Sequence, residues 1–293
     1  IPKKVKVFLK SSVNSHFGVD VTELYSPPRV TKEAKLQNSK GLKPAWKVGQ
    51  ALDLTTGYDF RCPKTRFKVK KLVQTTRPSL VILSPPCTVF TPLRNLSNYK
   101  RDPLVVAAEE SEGELHWDFS LEIAEDQDDA NRAFLLEQPK LARSWHKPRA
   151  QRLLQRPGIY VFTVDMCAFK LMTKDGLLAK KPTLLVTNSY ALAKVLHRRC
   201  TGDHVHRSLI GGRAAAAAEY SRPFVRAILQ GLRQHLKFHG VTFMEEDTNN
   251  AAAQDLPAMS TTMFQAVQAE LQVWAQPLSQ FAIYEEDFQQ ELE

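Results

Sequence analysis

The stretch that most constrains this chain is Leu80-Val81-Ile82-Leu83-Ser84-Pro85-Pro86-Cys87. Four consecutive apolar residues, two of them β-branched, match a strand buried on both faces. Pro85 and Pro86 have no amide hydrogen to give a ladder, so the strand must stop there. A second run has the same form: Ala133-Phe134-Leu135-Leu136 leads into Glu137-Gln138-Pro139. In open α/β sheets, sites form beyond the carboxyl ends of such strands. Cys87 and Glu137 fall at two of those ends. Cys87 has two readings here, an activated nucleophile or an inert buried filler. Glu137 also has two, a functional acid of perturbed pKa or a strand-end carboxylate paired with an arginine such as Arg143.

Around these runs, strand and helix patterns alternate, which predicts an α/β fold. Residues 19–25 read as a first strand, 29–40 as a helix, and 43–52 as a second strand ending at Asp53. Residues 62–76 form a basic helix with Phe67, Val69, Leu72 and Val73 as its apolar face. Residues 95–102 read as a polar loop. Residues 109–129 carry ten carboxylates interleaved with Leu115, Trp117, Phe119, Leu121 and Ile123. They are expected to form a solvated helix facing away from any polyanion. Residues 148–156 suggest a short basic helix. Two more strands are predicted at 158–167 and 183–187, with a hairpin turn at 174–181. Helices follow at 190–199 and 214–237, the last interrupted near Ser221-Arg222-Pro223. No internal repeat is present.

Charge divides the chain. The net charge of +9 combines a basic body with a tail from Val241 that holds ten acids and no Lys or Arg. Residues 1–240 therefore carry 21 acids against 40 bases, about +19. A body this basic favours a polyanionic partner, DNA or RNA first. We divide the chain into a domain over 1–240, a linker over 241–260 and an acidic amphipathic segment over 261–293. Phe264, Leu271 and Trp274 recur at near-helical spacing in that segment, which suits docking on the body or on a protein partner. No apolar run reaches membrane-spanning length, and residues 1–10 do not read as a signal peptide. The four cysteines are widely spaced and form no disulfide framework, which fits a reducing intracellular compartment.

Ser84-Pro85-Pro86-Cys87 paired with Glu137-Gln138-Pro139 resembles the cytosine-C5 DNA methyltransferase superfamily. Further stretches are similar to methyltransferase-like regions of retroelement polyproteins and phage proteins. They are Asp165-Met166-Cys167-Ala168-Phe169, Lys180-Lys181-Pro182-Thr183, Thr187-Asn188, and Cys200 to His206. The resemblance covers roughly residues 19–235. It implies a Rossmann-like class I methyltransferase fold: a largely parallel twisted sheet with helices on both faces. It also implies S-adenosylmethionine-dependent methylation of cytosine C5 in DNA, and a nuclear location. By that likeness Cys87 adds to C6 of an extruded base, Glu137 holds the N3 proton, and Lys181 supports the base. As residues of a plain hairpin turn, Lys180 and Lys181 would simply face solvent.

The same likeness points to Glu23, Tyr25, Ser26, Asp53, Ser84 and Pro85 for the cofactor. The family's glycine-rich turn is here Glu23 to Arg29, with no glycine and with Pro27 and Pro28. Asp53 has a second reading as a cap for Thr55-Thr56-Gly57. Gln138 stands where the family usually has Asn, and Thr88 where it often has Gln. Phosphate contacts are expected from Arg61, Lys64, Lys68, Lys71, Arg94 and Arg149. A non-catalytic member of the fold, binding nucleic acid or serving as a structural subunit, is the alternative. Cys200, His204 and His206 fall within seven residues and have two readings, a zinc site that Cys167 or Cys62 could complete, or simply residues of a basic loop.

Overall fold

The structure, a computed structural model, describes residues 18–207, 209 and 219–239. The expected linker and acidic segment, and residues 214–218 of the last expected helix, lie outside these.

Six strands form one mixed sheet in the order β2-β1-β3-β4-β6-β5. β1 (Val21–Leu24), β2 (Val48–Leu52), β3 (Leu80–Leu83) and β4 (Ala133–Pro139) are parallel neighbours. β6 (Pro182–Thr187) runs antiparallel to both β4 and β5 (Tyr160–Asp165). The expected largely parallel sheet thus holds for the first four strands, and the whole is mixed. The cause is local. No α-helix lies between β5 and β6, and a parallel return would need a long crossover, usually helical.

Register sets the geometry of the upper edge. Leu24 pairs with Leu52 and Leu83, and Leu83 pairs with Leu136. Continuing each strand by one residue brings Asp53, Tyr25, Ser84 and Glu137 into one row at the carboxyl ends. The amide of Ser84 donates to Leu24 O at 3.2 Å, extending the ladder into that row.

Helices complete the layers. α1 (Val30–Ser39), α6 (Tyr190–Leu196) and α7 (Arg222–Phe238) share one buried cluster with Leu80 and Ile82. In α7, Phe224, Ile228, Leu232 and Leu236 recur at helical spacing and are fully buried, the stripe expected of a core-facing helix. α2 (Pro63–Thr76) buries Val69 and Val73. α4 (Pro103–Asp129) packs on β3 and β4 with Trp117, Leu121, Ile123 and Ala124 buried. α3 (Pro92–Asn98) and α5 (Pro148–Leu154) are short.

Two expectations are corrected. The polar loop over 95–102 is helical through Asn98, because Pro92 opens a first turn for which proline is pre-organised. The acidic helix is not merely a solvated face. It begins at Pro103, capped by Asp102, whose carboxylate accepts from Leu104 N at 2.8 Å. One side is core. Its acids meet Lys70, Arg94, Arg101, Arg143, Lys147, Arg149 and Arg156 in ion pairs. Each such pair adds little stability alone, and together they occupy seven of the 40 basic side chains.

Candidate functional site

Pro85 and Pro86 carry the chain from β3 to Cys87, where a single 3-10 turn follows over Thr88–Phe90. The turn lies tight on α4. A Cβ on Gly113 would fall 2.3 Å from the Val89 side chain, so only glycine permits this approach. Arg143 holds the same turn by donating to Val89 O at 3.1 Å while pairing with Glu110. Gln138 ties the turn to β4. Its Nε2 donates to Pro85 O at 3.2 Å, and its Oε1 accepts from Ser144 Oγ at 2.7 Å. An asparagine, one methylene shorter, would have less reach for both.

Glu137 is buried, and its partners are specific. Lys181 Nζ lies 3.7 Å from Oε1. Tyr220 Oη donates to Oε2 at 3.2 Å and shares a 2.6 Å bond with Ser84 Oγ. Arg143 is not its partner. Burial pushes the Cys87 thiol up, and the Glu137 carboxylate adds to this while Lys181 opposes it. Cys87 therefore lies within the electrostatic reach of both Glu137 and Lys181. Lys181 is partly buried rather than a solvated turn residue.

Tyr220 carried no signal in the sequence. It closes an alanine-rich run and lies 136 positions from Ser84. Burial, and then the Glu137 charge, raise its pKa well above the usual phenol value. It therefore stays a protonated donor. Arg29 stacks over its ring at 5.4 Å.

The β1–α1 turn is closed on itself. Glu23, fully buried, accepts from Arg29 N at 3.1 Å, Thr31 N at 2.8 Å, Thr31 Oγ1 at 2.7 Å and Ser26 Oγ at 3.3 Å. A carboxylate at a helix N-terminus satisfies otherwise orphaned amides. Tyr25 takes the left-handed conformation, with φ 60°, that glycine usually supplies. Its ring packs on Phe60 at 4.2 Å and its hydroxyl donates to His116 O at 3.3 Å. Asp53 accepts from Thr55 N at 2.9 Å and Thr55 Oγ1 at 2.7 Å, the capping role, and remains half-buried at the edge.

The expected phosphate-binding residues separate into two groups. Lys64, Lys68 and Lys71 are exposed on one face of α2, with Lys68 over the Tyr58 ring at 5.5 Å. Arg61, just before α2, is held by Asp59 at 2.8 Å. Arg94 and Arg149 are held by Glu109 and Glu125, each at 2.6 Å.

Of the metal candidates, Cys200, His204 and His206 are brought together with Cys167, all four ligand atoms lying within 4.8 Å of one another. Cys62 is exposed at the start of α2 and takes no part. No helix among the described residues is long and apolar enough to cross a membrane.

No family model and no curated protein matches the chain. Among solved structures it is similar to the Entamoeba histolytica methyltransferase EhMeth, with a TM-score of 0.30 and 11% identity. That match covers 58% of this chain and 52% of the other, so the chain spans about half of that protein's length. A likeness this slight carries no argument about function.

Proposed function

We propose that this chain is a methyltransferase-like protein of Rossmann-like class I form that methylates C5 of a cytosine extruded from DNA. The observation that carries the reading is the register of β3 with β4, which sets Glu137 level with Ser84, three residues before Cys87, with Lys181 Nζ 3.7 Å from the carboxylate. The strand order supports it too, with a parallel half and an antiparallel strand inserted near one edge.

The chemistry follows from the groups present. The Cys87 thiol gives up its proton, which passes through solvent to N3 of the ring, and its sulfur bonds to C6. Glu137 holds the proton at N3, so the electron pair moves onto C5 as an enamine. Lys181 offsets the Glu137 charge, and Tyr220 holds that carboxylate in one orientation. Loss of the C5 proton to solvent later re-forms the double bond, and the sulfur leaves as the thiol with the proton that N3 returns through solvent. Asp53, half-buried at the end of β2, would hold the ribose hydroxyls of S-adenosylmethionine. That cofactor supplies the electrophilic methyl group. The lysines of α2 contact phosphates, and the Arg94 and Arg149 pairs with acids make those two positions weaker contributors. DNA is the partner, and the nucleus is the matching compartment.

A second reading has its own support. The amides heading α1 are already taken by Glu23, and Pro27 and Pro28 offer none. A turn closed in this way favours a protein that binds nucleic acid without methylating it. Incubation with S-adenosylmethionine carrying a labelled methyl group and cytosine-containing duplex DNA separates the two. Label in DNA that disappears in Cys87→Ser supports methylation. No label, with DNA bound and no thermal stabilisation by the cofactor, supports the second reading.

A further inference from the structure

We propose that Cys167, Cys200, His204 and His206 hold a structural zinc ion that fixes the segments presenting Lys181 and Tyr220 to Glu137. The argument begins with distances. Tetrahedral zinc places S and N ligands about 3.6 Å apart and two sulfurs about 3.8 Å apart, given bonds of about 2.3 and 2.05 Å. Here Cys200 Sγ lies 3.6 Å from His204 Nε2 and 3.3 Å from His206 Nε2. The two imidazoles meet edge-on at 4.6 Å between centroids. All four donor atoms lie within 4.8 Å of one another, about 1 Å beyond the tetrahedral span, so the ligands would draw inward on binding the ion.

Supporting contacts give an independent reason. His204 Nδ1 lies 2.7 Å from Asp203 Oδ1. A carboxylate there takes the Nδ1 hydrogen and leaves the Nε2 lone pair facing the cluster, as in carboxylate–histidine–metal arrangements. Gly202 N donates to Cys200 Sγ at 3.3 Å, a contact that favours a thiolate. A thiol has one hydrogen, so it cannot donate to both imidazoles at once, whereas a metal ion satisfies both. Two thiolates and two imidazoles select zinc among common divalent ions. On binding, Cys167 and Cys200 each release one proton to solvent, and the Zn(Cys)2(His)2 centre is neutral. With four protein ligands no position is left for water, so the role is structural.

The location explains what the ion does. Cys167 sits in the turn after β5. Its neighbour Met166 donates to Lys181 O at 3.2 Å. Ser221, next to Tyr220, donates to Phe169 O at 2.5 Å in the same turn. His206 pairs with Leu178 of the hairpin that leads to Lys181. Asp165 anchors the other side by accepting from Cys200 N at 2.9 Å. One centre therefore ties together the supports of both Glu137 partners. The inference does not depend on methylation, and it holds for either reading above.

The test is metal analysis of the full chain, purified without a histidine tag under reducing conditions. One zinc per chain is expected. Cys200→Ser and His206→Ala should lose it, while Cys62→Ser should keep it. Because those variants could misfold, zinc in the native chain should also be exchanged for cobalt. A tetrahedral cobalt spectrum with thiolate charge-transfer bands is expected. Metal removal should raise hydrogen exchange in residues 171–181 and 198–207 while leaving β1 and α1 unchanged. A native chain that carries no zinc and gives only an octahedral cobalt spectrum, or one with Cys167 and Cys200 joined as a disulfide, overturns the proposal.

Discussion

Tyr220 donates its phenolic hydrogen to Glu137 at 3.2 Å, across 83 positions of sequence. The same oxygen meets Ser84 Oγ at 2.6 Å, so one tyrosine joins the ends of β3 and β4. Tyr220→Phe deletes both bonds and keeps the ring. Losing a hydrogen bond to a charged acceptor should cost about 2 kcal/mol. Urea denaturation should show a lower midpoint with an unchanged slope. An unaltered midpoint would mean that Tyr220 is not a structural partner of Glu137.

Thiol reactivity should separate the cysteines by pH. The amides of Thr65 and Lys64 lower the Cys62 pKa, whereas burial and then Glu137 raise that of Cys87. Iodoacetamide should therefore modify Cys62 at lower pH than Cys87, as read by peptide mass mapping. Glu137→Gln removes a charge that raises the Cys87 pKa, so its profile should move to lower pH. Lys181→Met removes the opposing charge, so the profile should move up. Shifts in the other direction would contradict the shared electrostatics of the site.

Acid should weaken the contact between α1 and α7. Burial alone would raise the Glu33 pKa, but hydrogen bonds from Arg226 and Arg222, at 2.9 and 3.0 Å, hold it below the usual carboxylate value. A depressed carboxylate contributes stability that is present above its unfolded pKa and is lost as pH falls through the folded one. Stability of the native chain should then fall more steeply over that acid window than stability of Glu33→Gln. Parallel curves would show that the pair adds nothing.

Salt dependence should distinguish the basic groups. Reversing Lys64, Lys68 or Lys71 to Glu should weaken DNA binding uniformly across sequences. Each should also reduce the slope of log affinity against log salt by about 1. Arg149→Gln, which breaks the pair with Glu125, should change that slope much less and act mainly on stability. Equal slopes for all variants would remove α2 as the phosphate-binding face.

What was legible in the sequence follows from local physics. The runs at Leu80 and Ala133 marked buried strands because consecutive apolar residues followed by proline allow little else. Once those strands were placed, Cys87 and Glu137 had to lie near one edge. The helical turn over residues 92–98 is only half legible: Pro92 marks a first turn, whereas the polar composition that follows reads as loop. The acid-rich helix is legible as a half-solvated face, but the basic side chains that pair with its carboxylates come from other elements and leave no local signal. Tyr220 was invisible because a tertiary hydrogen bond leaves no periodicity. The closure of the β1–α1 turn was half legible. Missing glycine and two prolines were plain, whereas the four donors converging on Glu23 emerged only from the fold.

The most direct measurement is covalent trapping on duplex DNA that carries 5-fluorocytosine, in the presence of S-adenosylmethionine. Fluorine at C5 prevents loss of a proton there, so a sulfur added to C6 stays attached. The account expects a denaturation-resistant adduct that maps to Cys87 by mass spectrometry, that Cys87→Ser abolishes and Glu137→Gln reduces. DNA that binds but forms no adduct, or an adduct mapped to another cysteine, would contradict it.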